Sequence, residues 1–253
     1  NDLVFWKKNH KCEALLIKGA RQVGKTTIVR EFASKNYKHF VEINFEQDPV
    51  AKDAFVGTRD ARTIISRLSA MGYGAFVAHE TLVFFDEIQS CPNARTAIKF
   101  LVQDDSYDFI ESGSLLGINY GDVSSYPVGF ESQIEMFPLD FEEFLWAMGA
   151  NTESIAAVHV QFEKRESVNE SLHDYLLRMF RYYLIVGGMP EAVNQFVHDQ
   201  NVAKVRAIQQ DIIELYRVDA SQYDEEQKLK IRTIYDLIPS ILENKKKRVV
   251  YRD

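Results

Sequence analysis

Residues 14–27 read ALLIKGARQVGKTT, and this stretch decides the fold. Four apolar residues, Ala14 to Ile17, lead into Gly19-Ala20-Arg21-Gln22-Val23-Gly24-Lys25-Thr26, which matches GxxxxGK[ST]. An apolar strand in front of that pattern and a helix behind it is the context in which it cradles phosphate. Gly19 and Gly24 permit a tight turn whose backbone N–H groups, with those of Arg21, Gln22 and Val23, point at phosphate oxygens. The helix that starts at Lys25 aims the positive end of its dipole at the same place. Lys25 supplies an ammonium for the β- and γ-phosphates, and the Thr26 hydroxyl suits Mg²⁺. Thr27 supports the loop or the α-phosphate.

Working outward, further short apolar runs occur at 39–45, 81–86, 107–111 and 133–137. Amphipathic stretches at 25–34, 61–71 and 93–103 separate them, as in an α/β domain with a parallel sheet covered on both faces. After Pro138 the pattern changes to helices at 140–148, 154–165, 171–185, 191–197, 202–217 and 225–243. Asp140, with Glu143 three residues on, resembles a capping box. The predicted organisation is a P-loop core over 1–149, a helical lid over 150–222 and, over 223–253, the start of an appended, incomplete C-terminal domain of winged-helix type.

The run Leu82-Val83-Phe84-Phe85-Asp86-Glu87 places two carboxylates at a strand end. Asp86 suits the Mg²⁺ water shell, and Glu87 suits the task of polarising an attacking water. Lys25 and Asp86 are 61 residues apart with one predicted strand between them, a spacing that puts the acidic strand one strand away from the first. Asn244-Lys245-Lys246-Lys247 is not an NKxD guanine signature, and LSGGQ is absent. ATP is therefore the expected nucleotide, converted to ADP.

GARQVGKT, FFDEIQ, SGSLLG, FPLDFEEFL and GGMPE occur in that order between Gly19 and Glu191. Together they resemble the bacterial and archaeal AAA+-like ATPases that carry a C-terminal domain of unknown function. DIIELYRVD and IYDLIP, further on, resemble the start of that appended domain. The resemblance implies a γ-phosphate-sensing hydroxyl at Ser112 or Ser114, the bland reading being a Gly-Ser turn that caps the next helix. It implies that Asn44 restrains Glu87 until a partner binds, or that Asn44 is an ordinary polar strand end. It implies that Pro190, in Gly188-Met189-Pro190, lies against the adenine, or that this element is a turn between helices. Ring-forming relatives donate an arginine from a region that here contains no Lys or Arg, so either the donor lies elsewhere, with Arg178 and Arg181 as candidates that read equally as surface residues, or the protein does not work as a conventional ring.

The net charge of −7 conceals an asymmetry. Residues 1–99 carry +4, residues 100–163 carry 12 carboxylates with no Lys or Arg, and residues 164–253 carry +1. A uniformly basic nucleic-acid binder is excluded. The run Lys245–Arg248 leaves a DNA contact open, as an alternative to a solvated turn. The sequence contains no membrane-length apolar run and no secretion-type start, so a cytoplasmic location is expected. Cys12 and Cys91 show no metal or redox spacing. The expected activity is Mg²⁺-dependent ATP hydrolysis driving a conformational switch. The alternatives are a nucleotide-gated module that recruits a protein partner without turnover, and a DNA-associated motor or loader.

Overall fold

The computed structural model describes residues 2–10, 12–114, 129–221 and 228–243. The apolar runs become five strands: β1 (Ala14–Gly19), β2 (His39–Asn44), β3 (Thr81–Asp86), β4 (Asp108–Ser114) and β5 (Glu131–Met136). All four pairings are parallel, and the order is β2-β3-β4-β1-β5. As the spacing predicted, one strand, β4, lies between β1 and β3.

Both faces of the sheet are covered, which is why the central strands are apolar on both sides. Leu15, Ile17, Leu82, Phe84 and Ile110 pack with Val29, Phe32 and Ala33 of α2 (Lys25–Asn36). The same layer takes Leu3 and Trp6 of α1 (Asp2–Asn9), a helix that the sequence reading did not anticipate. The opposite face packs Leu16, Val83, Phe85 and Phe109 against α3 (Ala61–Ala70) and α4 (Pro92–Gln103). A 3₁₀ helix at Pro49–Phe55, also unanticipated, adds Ala51, Ala54 and Phe55. The Phe85 ring lies 5.5 to 5.8 Å from those of Phe45, Phe55 and Phe109. Truncating one such buried Phe costs about 3–5 kcal/mol.

The chain divides into two compact units, Asn1–Asp140 and Phe141–Asp253. The division falls ahead of the boundary expected at 149/150. α5 (Phe141–Ala147) packs within the helical unit, where the Phe144 ring lies 5.4 Å from Tyr183 and 6.5 Å from Phe196. The unit continues with α6 (Thr152–Lys164), α7 (Glu170–Val186), α8 (Pro190–Asp199), α9 (Val202–Ser221) and α10 (Lys228–Glu243). Asn151 and Asn169 cap α6 and α7 by accepting from the backbone N–H groups of Glu153 and Leu172. No helix among the described residues is long and apolar enough to cross a membrane. The basic run 245–248, and residues 115–117 of SGSLLG, lie outside the described residues.

Candidate functional site

In a parallel sheet the strand C-termini share one edge, and along it the ends of β3, β4 and β1 stand side by side. Gly19 ends β1 beside β5. A Cβ atom there would stand 2.4 Å from the Met136 carbonyl oxygen, so only glycine lets the loop leave between the strands. The turn then passes through Gln22 (φ 63°) and Gly24 (φ 95°), both left-handed, and Gly24 caps α2. Val23 is buried, which anchors the turn from below.

Lys25 is only 6% exposed. Its Nζ donates to the carbonyls of Gly19 (3.1 Å) and Ala20 (2.8 Å), leaving one of three N–H donors for a phosphate. Burial lowers its pKa, partly offset by the Glu87 and Asp86 carboxylates. Thr26 Oγ1 donates to Asp86 Oδ2 at 3.0 Å. Thr27 is exposed, and Arg21 lies 3.9 Å from Glu46.

Asp86 is the hub of the site. Besides Thr26, its Oδ2 accepts from Asn44 Nδ2 at 3.0 Å, and its Oδ1 accepts from Ser112 Oγ. The ends of β2, β3 and β4 and the start of α2 therefore converge on one carboxylate. Two hard oxygen donors, the Thr26 hydroxyl and the Asp86 carboxylate, stand together where Mg²⁺ is expected, and such a pair fits an ion that keeps water and phosphate oxygens as its other ligands. No cluster of three or more His, Cys, Asp or Glu suited to a metal occurs among the described residues.

Glu87 follows in a left-handed conformation, φ 55° and ψ 49°, and caps a 3₁₀ turn at Ile88–Ser90. Such backbone in a non-glycine residue costs about 1–3 kcal/mol and concentrates at functional sites. Burial raises the Glu87 pKa; a hydrogen bond from Gln89 opposes this and the Asp86 charge adds to it. The Glu87 backbone N–H lies 3.5 Å from Ser112 Oγ.

The structure thus gathers Gly19, Gly24, Lys25, Thr26, Asn44, Asp86, Glu87 and Ser112. It also shows a departure from the expectation for Asn44. The Asn44 amide is engaged by Asp86 rather than by Glu87, and its Oδ1 accepts from the backbone N–H groups of Glu46 and Gln47. The amide that meets Glu87 belongs to Gln89, which the sequence reading passed over although it stands in the quoted FFDEIQ motif. Ser114 is buried at the end of β4. Pro190 lies in the helical unit, where Gly187 (φ 73°) ends α7 and Pro190 opens α8. Arg178 and Arg181 are exposed on α7.

A second polar cluster was not anticipated. On the face of β4 opposite Ser112, Glu111 is fully buried and Arg95 Nη1 donates to it and to Glu131. The signal available was a carboxylate within a strand predicted to be covered on both faces.

A search of curated proteins found no match. Among solved structures, one titled "Structure of C. elegans PCH-2" is similar at 12% identity and a TM-score of 0.44, over 76% of this chain and 55% of that one. The chain thus spans little more than half of that protein's length. A family model described as a domain of unknown function (DUF8612) matches residues 177–252. A model described as an AAA domain matches residues 11–145, more than half of the chain, and contains both the phosphate loop and the Asp86-Glu87 strand end. The chain belongs to the AAA domain family and has the fold of a nucleotide-binding P-loop NTPase.

Proposed function

We propose that the protein binds ATP with Mg²⁺ and hydrolyses it, using the change from ATP to ADP to shift the arrangement of its helical region. The observation that carries this reading is the convergence on Asp86. The hydroxyl that follows the loop lysine meets the acid at the end of β3, with Asn44 and Ser112 holding the same carboxylate.

In this reading the backbone from Gly19 through Gly24 wraps the phosphates, and the free donor of Lys25 binds the β- and γ-phosphates. Thr27 supports the loop or the α-phosphate. Thr26 and Asp86 hold Mg²⁺, which when bound neutralises phosphate charge. Glu87 accepts a proton from water as the water oxygen bonds to the γ-phosphorus. The bond to the β–γ bridging oxygen breaks, leaving ADP and phosphate. Ser112, and Ser114 beyond it, sense the γ-phosphate from β4, Asn44 holds Asp86, and Pro190 contacts the adenine. The helical residues 150–222 act as the lid. Once the γ-phosphate is gone its contacts no longer favour the ATP arrangement, which provides the differential affinity that a switch requires.

The test is a pair of variants measured for nucleotide binding and turnover. Lys25→Ala should abolish ATP binding. Glu87→Gln should keep binding and lower turnover by about 10²–10⁴-fold. Wild-type turnover in Glu87→Gln overturns the hydrolytic reading. Tight binding with no turnover in the unmodified protein favours the recruitment module instead.

A further inference from the structure

We propose that Gln89 is a positioning residue for hydrolysis: its side-chain amide clamps the Glu87 carboxylate in one orientation toward the attacking water. The inference rests on Glu87 being the general base.

Gln89 Nε2 donates to Glu87 Oε2. An ionised carboxylate only accepts, so the amide must present its nitrogen side and the orientation of the pair is unambiguous. Gln89 Oε1 is buried and has no hydrogen-bond donor among the described residues. The contact with Glu87 is therefore what orients this amide.

The local backbone makes the clamp a fixed one. Glu87 and Gln89 stand two residues apart in a single 3₁₀ turn. Ser90 N–H donates to the Glu87 carbonyl at 2.9 Å, and Cys91 N–H donates to the Ile88 carbonyl at 3.0 Å. Between them Ile88 is 0% exposed and packs with the α4 side of the sheet. A pair within one closed, anchored turn keeps its spacing whatever the rest of the molecule does. A restraint meant to be released would come from another element, and the one on β2, Asn44, is engaged by Asp86. Gln89 therefore acts as a permanent orienting contact. It leaves the second carboxylate oxygen for water and removes side-chain rotations that would carry the base out of hydrogen-bond reach.

The experiment compares Gln89→Leu, which deletes the donor, with Gln89→Glu, which keeps the shape and places a like charge there. Turnover and the affinity for a non-hydrolysable ATP analogue are measured in each. Both variants should lose about tenfold in kcat while analogue affinity stays within about twofold, and Gln89→Leu should have no further effect in a Glu87→Gln background. Unchanged or raised turnover overturns the proposal, the latter because it would make Gln89 a brake. A fall in affinity that parallels the fall in turnover also overturns it, because that would mean a purely structural role. If Glu87→Gln itself retains turnover, or the wild type shows none, the base assignment fails and takes this inference with it. If Glu87→Gln is inactive and the Gln89 variants are not impaired, the clamp alone fails.

Discussion

Replacing Arg95 with Met tests the cluster beneath β4. The Arg95 and Glu131 side chains are 3% and 2% exposed and that of Glu111 is fully buried, so solvent screens none of them appreciably. One guanidinium balances one carboxylate. The other must either remain as net buried charge or keep its proton. Burial, opposed by Arg95 and reinforced by Glu131, raises the Glu111 pKa. With the cation gone, two buried carboxylates face each other uncompensated, and breaking such a pair costs about 3–5 kcal/mol. The sign with pH follows from the direction of the shift. A carboxylate whose pKa is raised by folding gives its full stability below the ordinary carboxylate range and loses it as pH rises through the folded value. Arg95→Met raises that value further, so the variant is hurt most at alkaline pH. One extra proton held by the folded variant changes stability by at most ~1.4 kcal/mol per pH unit, so the destabilisation should grow by up to about 2 kcal/mol between pH ~7.5 and ~9.5, as the wild type loses the Glu111 proton at about pH 8 and the variant keeps it. The assay is urea unfolding followed by fluorescence of the buried Trp6, with Trp146, the other tryptophan, changed to Phe. A destabilisation that does not vary with pH, or one below about 1 kcal/mol, would refute the reasoning.

Two further outcomes follow from local geometry. Gly19→Ala would place a Cβ atom 2.4 Å from the Met136 carbonyl oxygen, forcing β1 and β5 apart at the phosphate loop. Nucleotide affinity should fall by at least about tenfold and stability by about 1–3 kcal/mol, and wild-type affinity in a fluorescent-nucleotide titration would show that the strands can give way. His10 Nε2 lies 3.3 Å from Asp108 Oδ1, and that hydrogen bond raises its pKa against the opposing effect of burial. The stability it contributes is therefore complete below the ordinary histidine value and is lost as pH rises through the folded one. His10→Asn should flatten urea stability between pH ~6 and ~8.5, and an unchanged slope would show that the contact does not titrate.

The edge that gathers Lys25, Thr26 and Asp86 was legible because its pattern is local. The loop GARQVGKT and the strand end FFDE each occupy eight residues or fewer, and apolar runs placed each strand to within about three residues. The elements that were missed lack such a signal. α1 has eight residues and buries only Leu3 and Trp6, too few for a periodic pattern to show. The 3₁₀ helix at Pro49–Phe55 buries Ala51, Ala54 and Phe55, but three residues per turn matches neither the strand nor the helix template. Gln89 was missed for a different reason. Its contact with Glu87 exists only because Glu87 takes a left-handed backbone, and side chains two residues apart do not face each other in a regular helix.

The buried cluster, by contrast, was open to inference. Residues 100–163 carry 12 carboxylates without one Lys or Arg. Two of them, Glu111 and Glu131, are inside the fold. In a strand, neighbouring side chains alternate faces: Ser112 reaches Asp86 on one side, so Glu111 turns to the other, the α4 side, and meets Arg95. A parallel strand covered by helices has no solvent face to receive a carboxylate. Predicting such a strand around Glu111 therefore already demanded a buried cation or a retained proton. Arg95, between Ala94 and Ala97 on the apolar side of α4, was the basic residue placed to answer it. A charge balance becomes a statement about surface only after the carboxylates that the strand assignment itself buries have been removed from it.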